Sequence, residues 1–453
     1  MNICLVCTDP ISIFFDKRIL DIATVLKSNA NNITIITVGE NDSIYSFGAH
    51  TVLQRGRKAF AIANRNLLDS IGKLTKINKE FENTKTDEQN LKLLKKYGNI
   101  LLKNSKILYG IAHSIYSYFQ IILRRIRRLR TMIFFVVGNL KARKKRQDFY
   151  LRDAETLAGW LANNNFDFLV GCDLPGALAC ALVVTKNQLF WYDAHEYYSK
   201  QKWLENKVDV NYLEKIERKV LEVSDIFSTV STGLLDEMLR DTSHYDGRKY
   251  FLPNSSDPMR LTSDLYPDLR EVLKVESNSK IAVFHGVLAG SYRQLTQFAL
   301  SFSQAEKSDW HLLFIGYSAT DTLLAMAKKN QQIHVLNPVS NHKLGSLLKQ
   351  CEVILMPYEV FDLNTHFGLP NKMGDAVALK IPILYNSKLV EIGKWSSKFN
   401  LGLPFDWEEI QNKPNLIVEK LDSLRLMFPD WDGAELNIGW TYFENTINEM
   451  LKG

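Results

Sequence analysis

The chain has 453 residues, 46% apolar and 23% charged, a balance that suits two folded domains with separate cores and excludes a disordered or fibrous protein. The formal net charge of +6 is local in origin: residues 107–147 hold ten Lys and Arg and no acid, so the remainder is slightly acidic. Five cysteines, an odd number set mostly in apolar runs, argue against a disulfide scaffold and for reduced, buried thiols in a cytoplasmic protein.

Short apolar runs at 3–6, 33–38, 168–170, 189–192 and 226–230 read as strands. Helix-period segments at 15–27, 174–186 and 212–223 separate them, which is the rhythm of βαβ units in a parallel sheet. The first run starts without a basic segment or cleavage site, so no signal peptide is expected. Cys4 and Cys7 would face opposite sides of that strand, and with no second pair or nearby histidine they do not make a zinc site.

Residues 53–150 are too long for a connector in a compact sheet and read as a helical insertion. An uncharged, aromatic stretch at 107–123 (Tyr109, Tyr116, Tyr118, Phe119) is followed by Arg124, Arg125, Arg127, Arg128 and Arg130, then by Lys141, Arg143, Lys144, Lys145 and Arg146. Apolar bodies flanked by cations suit an anionic membrane surface, a reading favoured over a solvated helix or nucleic acid. A spanning helix is disfavoured by length and by His113, Ser114, Ser117 and Gln120.

After a polar, proline-containing stretch at 253–280 the rhythm resumes, with strands expected at 281–284, 310–315, 333–336, 353–356 and 383–385. Such sheets bind ligands at the carboxyl ends of their strands, so a cleft between two domains is the expected site. Gly286 ends the first of these strands and lets backbone approach a ligand, while Arg293 offers a planar fork of donors to phosphate. In 364–384 (NTHFGLPNKMGDAVALKIPIL), Asn371 and Lys372 open a helix after a Gly-Leu-Pro turn, where free N–H groups and the helix dipole favour an anion. Asp375, one turn on, is offered to ribose hydroxyls. Asp430-Trp431-Asp432 reads as a turn, not a metal-binding Asp-x-Asp, and a helical apolar stripe at 440–451 needs a surface to cover. No Walker loop, Gly-x-Gly-x-x-Gly or Gly-x-Ser-x-Gly elbow is found.

The 364–384 stretch resembles the donor site of retaining GT-B glycosyltransferases of the family-4 type, with Asp375 standing where the family has a glutamate seven residues before Pro382. The family's earlier glutamate is not matched by Asn364, Thr365 or His366. The resemblance implies an α/β protein of GT-B architecture, two doubly wound Rossmann-like domains facing a cleft. It divides the chain into an acceptor-side domain at 1–252 carrying the insertion, a nucleotide-sugar-binding domain at 253–432, and a terminal helix at 433–453 that packs back on the first domain. It implies that Arg293 and Lys372 hold the donor diphosphate beside Gly286, and that Gly316, Val339 and Asn371 lie around the nucleotide. The segment Asp193-Ala194-His195-Glu196 resembles the family's Asp-x-His-Glu, which sets His195 near the transferred sugar. Asp16, Arg18 and Asp173 match recurring polar positions, taken as acceptor-side or loop-ordering residues.

The expected activity is transfer of a sugar from a nucleotide sugar to a lipid-linked or polysaccharide acceptor with retention of configuration, needing no obligatory metal and no nucleic acid. The expected location is the inner face of the cell membrane, held peripherally. A sugar-nucleotide epimerase of the same fold and a non-catalytic subunit of a membrane glycosylation complex are the alternatives.

Overall fold

The computed structural model describes residues 1–7, 17–29, 32–39, 43–47, 50–56, 148–204, 209–240, 242 and 245–452. The basic stretch at 107–146 and Asp16 lie outside these residues. Among the described residues no helix is long and apolar enough to cross a membrane.

The first sheet contains β1 (Asn2–Val6), β2 (Asn32–Gly39), β3 (Ser43–Phe47), β4 (His50–Gly56), β5 (Phe168–Cys172), β6 (Leu189–Ala194), β7 (Ile226–Thr229) and β8 (Arg248–Phe251). Their spatial order is β3-β4-β2-β1-β5-β6-β7-β8, parallel throughout except where β3 pairs antiparallel with β4. The second sheet contains β9 (Lys280–Val287), β10 (Trp310–Tyr317), β11 (Ile333–Leu336), β12 (Val353–Met356), β13 (Ile383–Asn386) and β14 (Gly402–Phe405), in the order β11-β10-β9-β12-β13-β14. Chain direction across each sheet reverses beside its first strand, between β1 and β5 and between β9 and β12. Crevices open at the carboxyl ends of strands at such reversals.

Apolar runs made the central strands predictable, because strands covered on both faces need side chains that can be buried either way. Val283 and Phe284 are fully buried yet belong to cores on opposite faces of the second sheet. Cys4 and Cys7 likewise face opposite cores. The sequence reading omitted β3, β4, β8 and β14. β4 reaches Gly56, inside the stretch assigned to the insertion, and the following described helix starts at Asp148.

Five further helices matter for the site: α1 (Lys17–Ser28), α2 (Asp173–Val183), α3 (Leu363–Phe367), α4 (Asn371–Leu379) and α5 (Val390–Phe399). The last helix, α6 (Trp440–Lys452), buries Phe443, Ile447 and Met450 in the core that holds Ile3, Leu5, Ile19 and Ile22 of the first sheet and α1. Asp430, read as part of a turn, instead caps the helix Trp431–Ile438 by accepting a 2.8 Å bond from the Gly433 amide.

Candidate functional site at the domain interface

A cavity of about 260 Å³ lies between the sheets, lined from one side by His195, Glu196 and Gln201 and from the other by Arg293, Asp362 and Pro370. β6 delivers His195 and Glu196 at its carboxyl end, and the loop after β9 delivers Arg293. Pro370 caps α4 by position only, with no side chain bonded to the helix's first amides. Nine residues of helix therefore begin at the cavity wall with their dipole's positive end toward it.

Lys372, in the first turn of α4, is buried. Its Nζ stands 4.3 Å from the centre of the Phe284 ring and 5.6 Å from that of Tyr358. Burial first, and the neighbouring Arg293 charge second, lower its pKa to about 7, partly opposed by Asp375. Gly286 has φ +117°, and a Cβ there would sit 3.3 Å from the lysine Nζ, so glycine both permits the backbone turn and leaves room for the amine. Arg293 donates at 2.5 Å to the Ala289 carbonyl and lies 4.4 Å from the Tyr292 ring centre. Two cations and a helix start thus converge, and each costs the fold something to hold there without an anion.

Asp375 is placed differently from the sequence expectation. Its carboxylate accepts from Lys17 Nζ at 2.8 Å and from the Ser256 hydroxyl at 2.5 Å, and its other oxygen is 3.4 Å from His285 Nε2. The side chain offered to ribose is engaged inside the protein instead. Burial would raise its pKa, but the Lys17 charge and the Lys17 and Ser256 hydrogen bonds together hold it below the ordinary carboxylate value. His285 is itself buried, and burial followed by the Lys372 charge lowers its pKa to about 3, so it is neutral.

On the facing wall, the His195 Nε2 lies 3.0 Å from Asp193 and its Nδ1 3.4 Å from Asp173, while its amide donates at 2.9 Å to Asp173. Both ring nitrogens are directed to carboxylates of their own domain. Asp193 is clamped in turn by Arg18, whose Nε and terminal nitrogen approach its two oxygens at 2.8 and 2.6 Å, and by the Ser228 hydroxyl at 2.5 Å. Burial would raise Asp193, but the Arg18 charge overrides it and keeps the carboxyl ionised, well below the usual range. Arg18 also donates at 2.8 Å to the Leu252 carbonyl and bonds Asn254 at 3.3 Å, and Asn254 donates at 2.8 Å to the Leu369 carbonyl just before α4. Arg18 thus holds Asp193 and the interdomain connector, and Asp173 holds the His195 loop.

Glu196 was named in the sequence only as the end of the Asp193–Glu196 segment and given no role of its own. Its side chain keeps accessible surface because it opens into the cavity, yet protein surrounds it. That enclosure, with the Asp173 charge next, raises its pKa to about 7. Tyr292 and Phe361 escaped notice, for single aromatics between strands give no periodic signal, and Tyr358 was read only as part of the turn before the donor loop. Tyr292 stacks on Phe361 at 5.6 Å and on Tyr358 at 6.4 Å, and all three line the cavity.

The remaining expected residues do not line the cavity. Asn371 is exposed at the start of α4. Val339 packs against a core of the second domain. Gly316 meets β9: a Cβ on it would fall 1.5 Å from the Gly286 carbonyl oxygen, so its glycine is required by strand packing.

Side chains also cross the interface at the cavity rim. Asn364 accepts from the Tyr197 amide at 2.6 Å and donates to the Tyr197 carbonyl at 3.2 Å. Glu391 of α5 accepts from the Thr232 and Gly233 amides at 3.2 and 3.3 Å, capping a helix of the first domain. Among the described residues no three His, Cys, Asp or Glu side chains gather as a metal-binding set.

No family model matches the chain, and no curated protein matches it in sequence. Solved structures do match in fold. Sucrose-phosphate synthase from Thermosynechococcus elongatus aligns with TM-score 0.61 at 11% identity, covering 100% of this chain and 98% of that one. The α,α-trehalose 6-phosphate synthase from Burkholderia multivorans aligns with TM-score 0.56 at 12% identity, covering 100% and 98%. A putative UDP-N-acetylglucosamine 2-epimerase from Listeria monocytogenes aligns with TM-score 0.50 at 9% identity, covering 100% and 94%. The chain has the two-domain α/β architecture of these proteins, the GT-B fold.

Proposed function

We propose that the protein is a glycosyltransferase that moves a sugar from a nucleotide-sugar donor to a saccharide or lipid-linked acceptor, with retention of configuration, in the manner of the family-4 enzymes its donor segment resembles. The observation that carries this reading is that Arg293 and the uncapped start of α4 lie on the cavity wall opposite His195, with the buried Lys372 close enough to feel the Arg293 charge. As the bond from the anomeric carbon to the diphosphate breaks, its electron pair passes to the departing phosphate, where charge accumulates. Preorganised cations and helix amides are suited to that charge, and the reading assigns its neutralisation to them rather than to a metal. The acceptor oxygen bonds to the anomeric carbon, and its proton passes to the departing phosphate oxygen. No protein nucleophile enters.

At about 260 Å³ the cavity is smaller than the roughly 300–1,000 Å³ of typical small-molecule sites, which suits the sugar and phosphate end of a donor. A peripheral position on an anionic membrane, on the cytoplasmic side, is part of the proposal and rests on the sequence of residues 107–146. The test is a panel of nucleotide sugars read by thermal stabilisation and by release of nucleoside diphosphate. Stabilisation with slow release from one donor supports the transferase. Conversion of a nucleotide sugar to its epimer would assign an epimerase, and no stabilisation by any donor would leave a non-catalytic subunit.

A further inference from the structure

Two histidines meet at the edge of the second sheet, on strands β10 and β11. These run parallel with Leu313 opposite His334, which puts His311 and His334 on one diagonal of one face. Side chains alternate along the strands: Leu312 and Ile333 enter one core, while Leu313, two residues after His311, enters the core of the other face. The His311 Nδ1 and the His334 Nε2 stand 3.0 Å apart, with ring centres 5.2 Å apart and planes tilted by 32°. Both residues are half-buried, and among the described residues no strand covers the outer side of β11, so an ion has a way in. Burial lowers the pKa of both rings, that of His334 to about 4, so each is neutral at pH 7. The His311 ring also bonds the Gln331 backbone, and Glu276 and Asp309 are near enough for their charges to be felt there. Imidazoles that bind metals are commonly anchored in this way by backbone and carboxylates.

We propose that His311 and His334 form a two-imidazole chelate for a divalent transition metal of square geometry, copper(II) or nickel(II), with water in the remaining positions. Two metal–nitrogen bonds of about 2.0–2.1 Å that span 3.0 Å enclose about 91–97° at the ion. That is close to the right angle of a square-planar or tetragonal ion and short of the roughly 109° of tetrahedral zinc. The two facing nitrogens share one hydrogen bond. On binding, the ring that donates it carries its proton on its other nitrogen instead, so both facing lone pairs reach the ion and no net proton is released. His311 lies five residues before Gly316, about 16 Å from the carboxyl end of its strand, so the site goes beyond the transferase reading and does not rest on it. A metal held here ties the edge strand to its neighbour and stabilises the native chain.

Titration of the full chain with copper(II), nickel(II), zinc(II) and magnesium in a non-coordinating buffer tests this, read by electron paramagnetic resonance for copper and by thermal unfolding for all four. Copper should occupy one site with the spectrum of an equatorial nitrogen pair and raise the unfolding temperature, and magnesium should not raise it. His311→Gln and His334→Gln should each weaken copper at least about tenfold, whereas His342→Gln, at an exposed histidine bonded to Ser263, should not. The two substitutions are read separately, so either decides the matter if the other does not fold. Copper held no more tightly by the native chain than by these variants, a spectrum without a nitrogen pair, or zinc bound as tightly as copper would overturn the proposal. No donor or acceptor enters these measurements, so failure here leaves the transferase standing.

Discussion

The Lys17 amine and the Asp375 carboxylate meet at 2.8 Å, joining the first helix of one domain to the helix that opens at the cavity in the other. Both side chains are at most 9% exposed, so removing either leaves a buried charge alone. Asp375→Asn or Lys17→Met should therefore lower stability by about 3–5 kcal/mol in urea denaturation. Asp375 sits below its ordinary pKa, so its contribution is present above the unfolded carboxylate range and is lost as pH falls through the folded value. A folded Asp375→Asn protein of unchanged stability that discriminates poorly between ribose and dideoxyribose donors would return the residue to nucleotide recognition.

Lys372, lowered to about 7, carries its charge below that pH and loses it above. A bound diphosphate favours the charged form, so uridine diphosphate should take up a fraction of a proton at pH 7 to 8 and bind more weakly as pH rises. Calorimetry in buffers of different ionisation heat reads the uptake, and Lys372→Met should remove most of it. Uptake that survives this substitution would assign the proton to another group.

Arg293→Ala should lower turnover by roughly 10²–10³-fold, the scale of losing one preorganised donor, with little change in unfolding. Wild-type turnover in the folded variant would exclude Arg293 from leaving-group stabilisation.

His195 is held between Asp173 and Asp193, so its ring orientation is fixed before any ligand arrives. We expect His195→Ala to reduce transfer far more than donor affinity, because the proposed function sets the ring beside the transferred sugar and not the diphosphate. Parallel loss of both would place it in donor binding, and unchanged transfer would leave it a loop-ordering residue.

Phe443 is 1% exposed where α6 crosses onto α1 and the first sheet. Phe443→Ala should cost about 3–5 kcal/mol, measured by the urea midpoint. A loss below 1 kcal/mol would mean that the helix is dispensable to the first domain.

The central strands were legible because burial on both faces leaves an apolar run. β8 was not, since it lies at the sheet edge with Arg248 and Lys249 in it. β14 was hidden by Pro404, tolerated because an edge strand leaves one side of its backbone unpaired. At the site, Gly286, Arg293 and Lys372 could be found because strand ends and helix starts leave sequence marks. The partners of Asp375 could not. Lys17 is 358 residues away, and no local pattern shows which of two neighbouring basic residues turns toward a carboxylate in the other domain. Glu196 lay in plain view but needed the walls of the cavity, supplied by distant segments, to become distinctive.

The doubly bonded contact between Asn364 and Tyr197 imitates the pairing of two strands, with a side-chain amide replacing one backbone. The Tyr197 amide proton is therefore given to the opposite domain, and its exchange with deuterium from solvent becomes a built-in gauge of domain separation. A donor that bridges the cleft should slow that exchange, and one that wedges it open should hasten it, with no label attached to either domain.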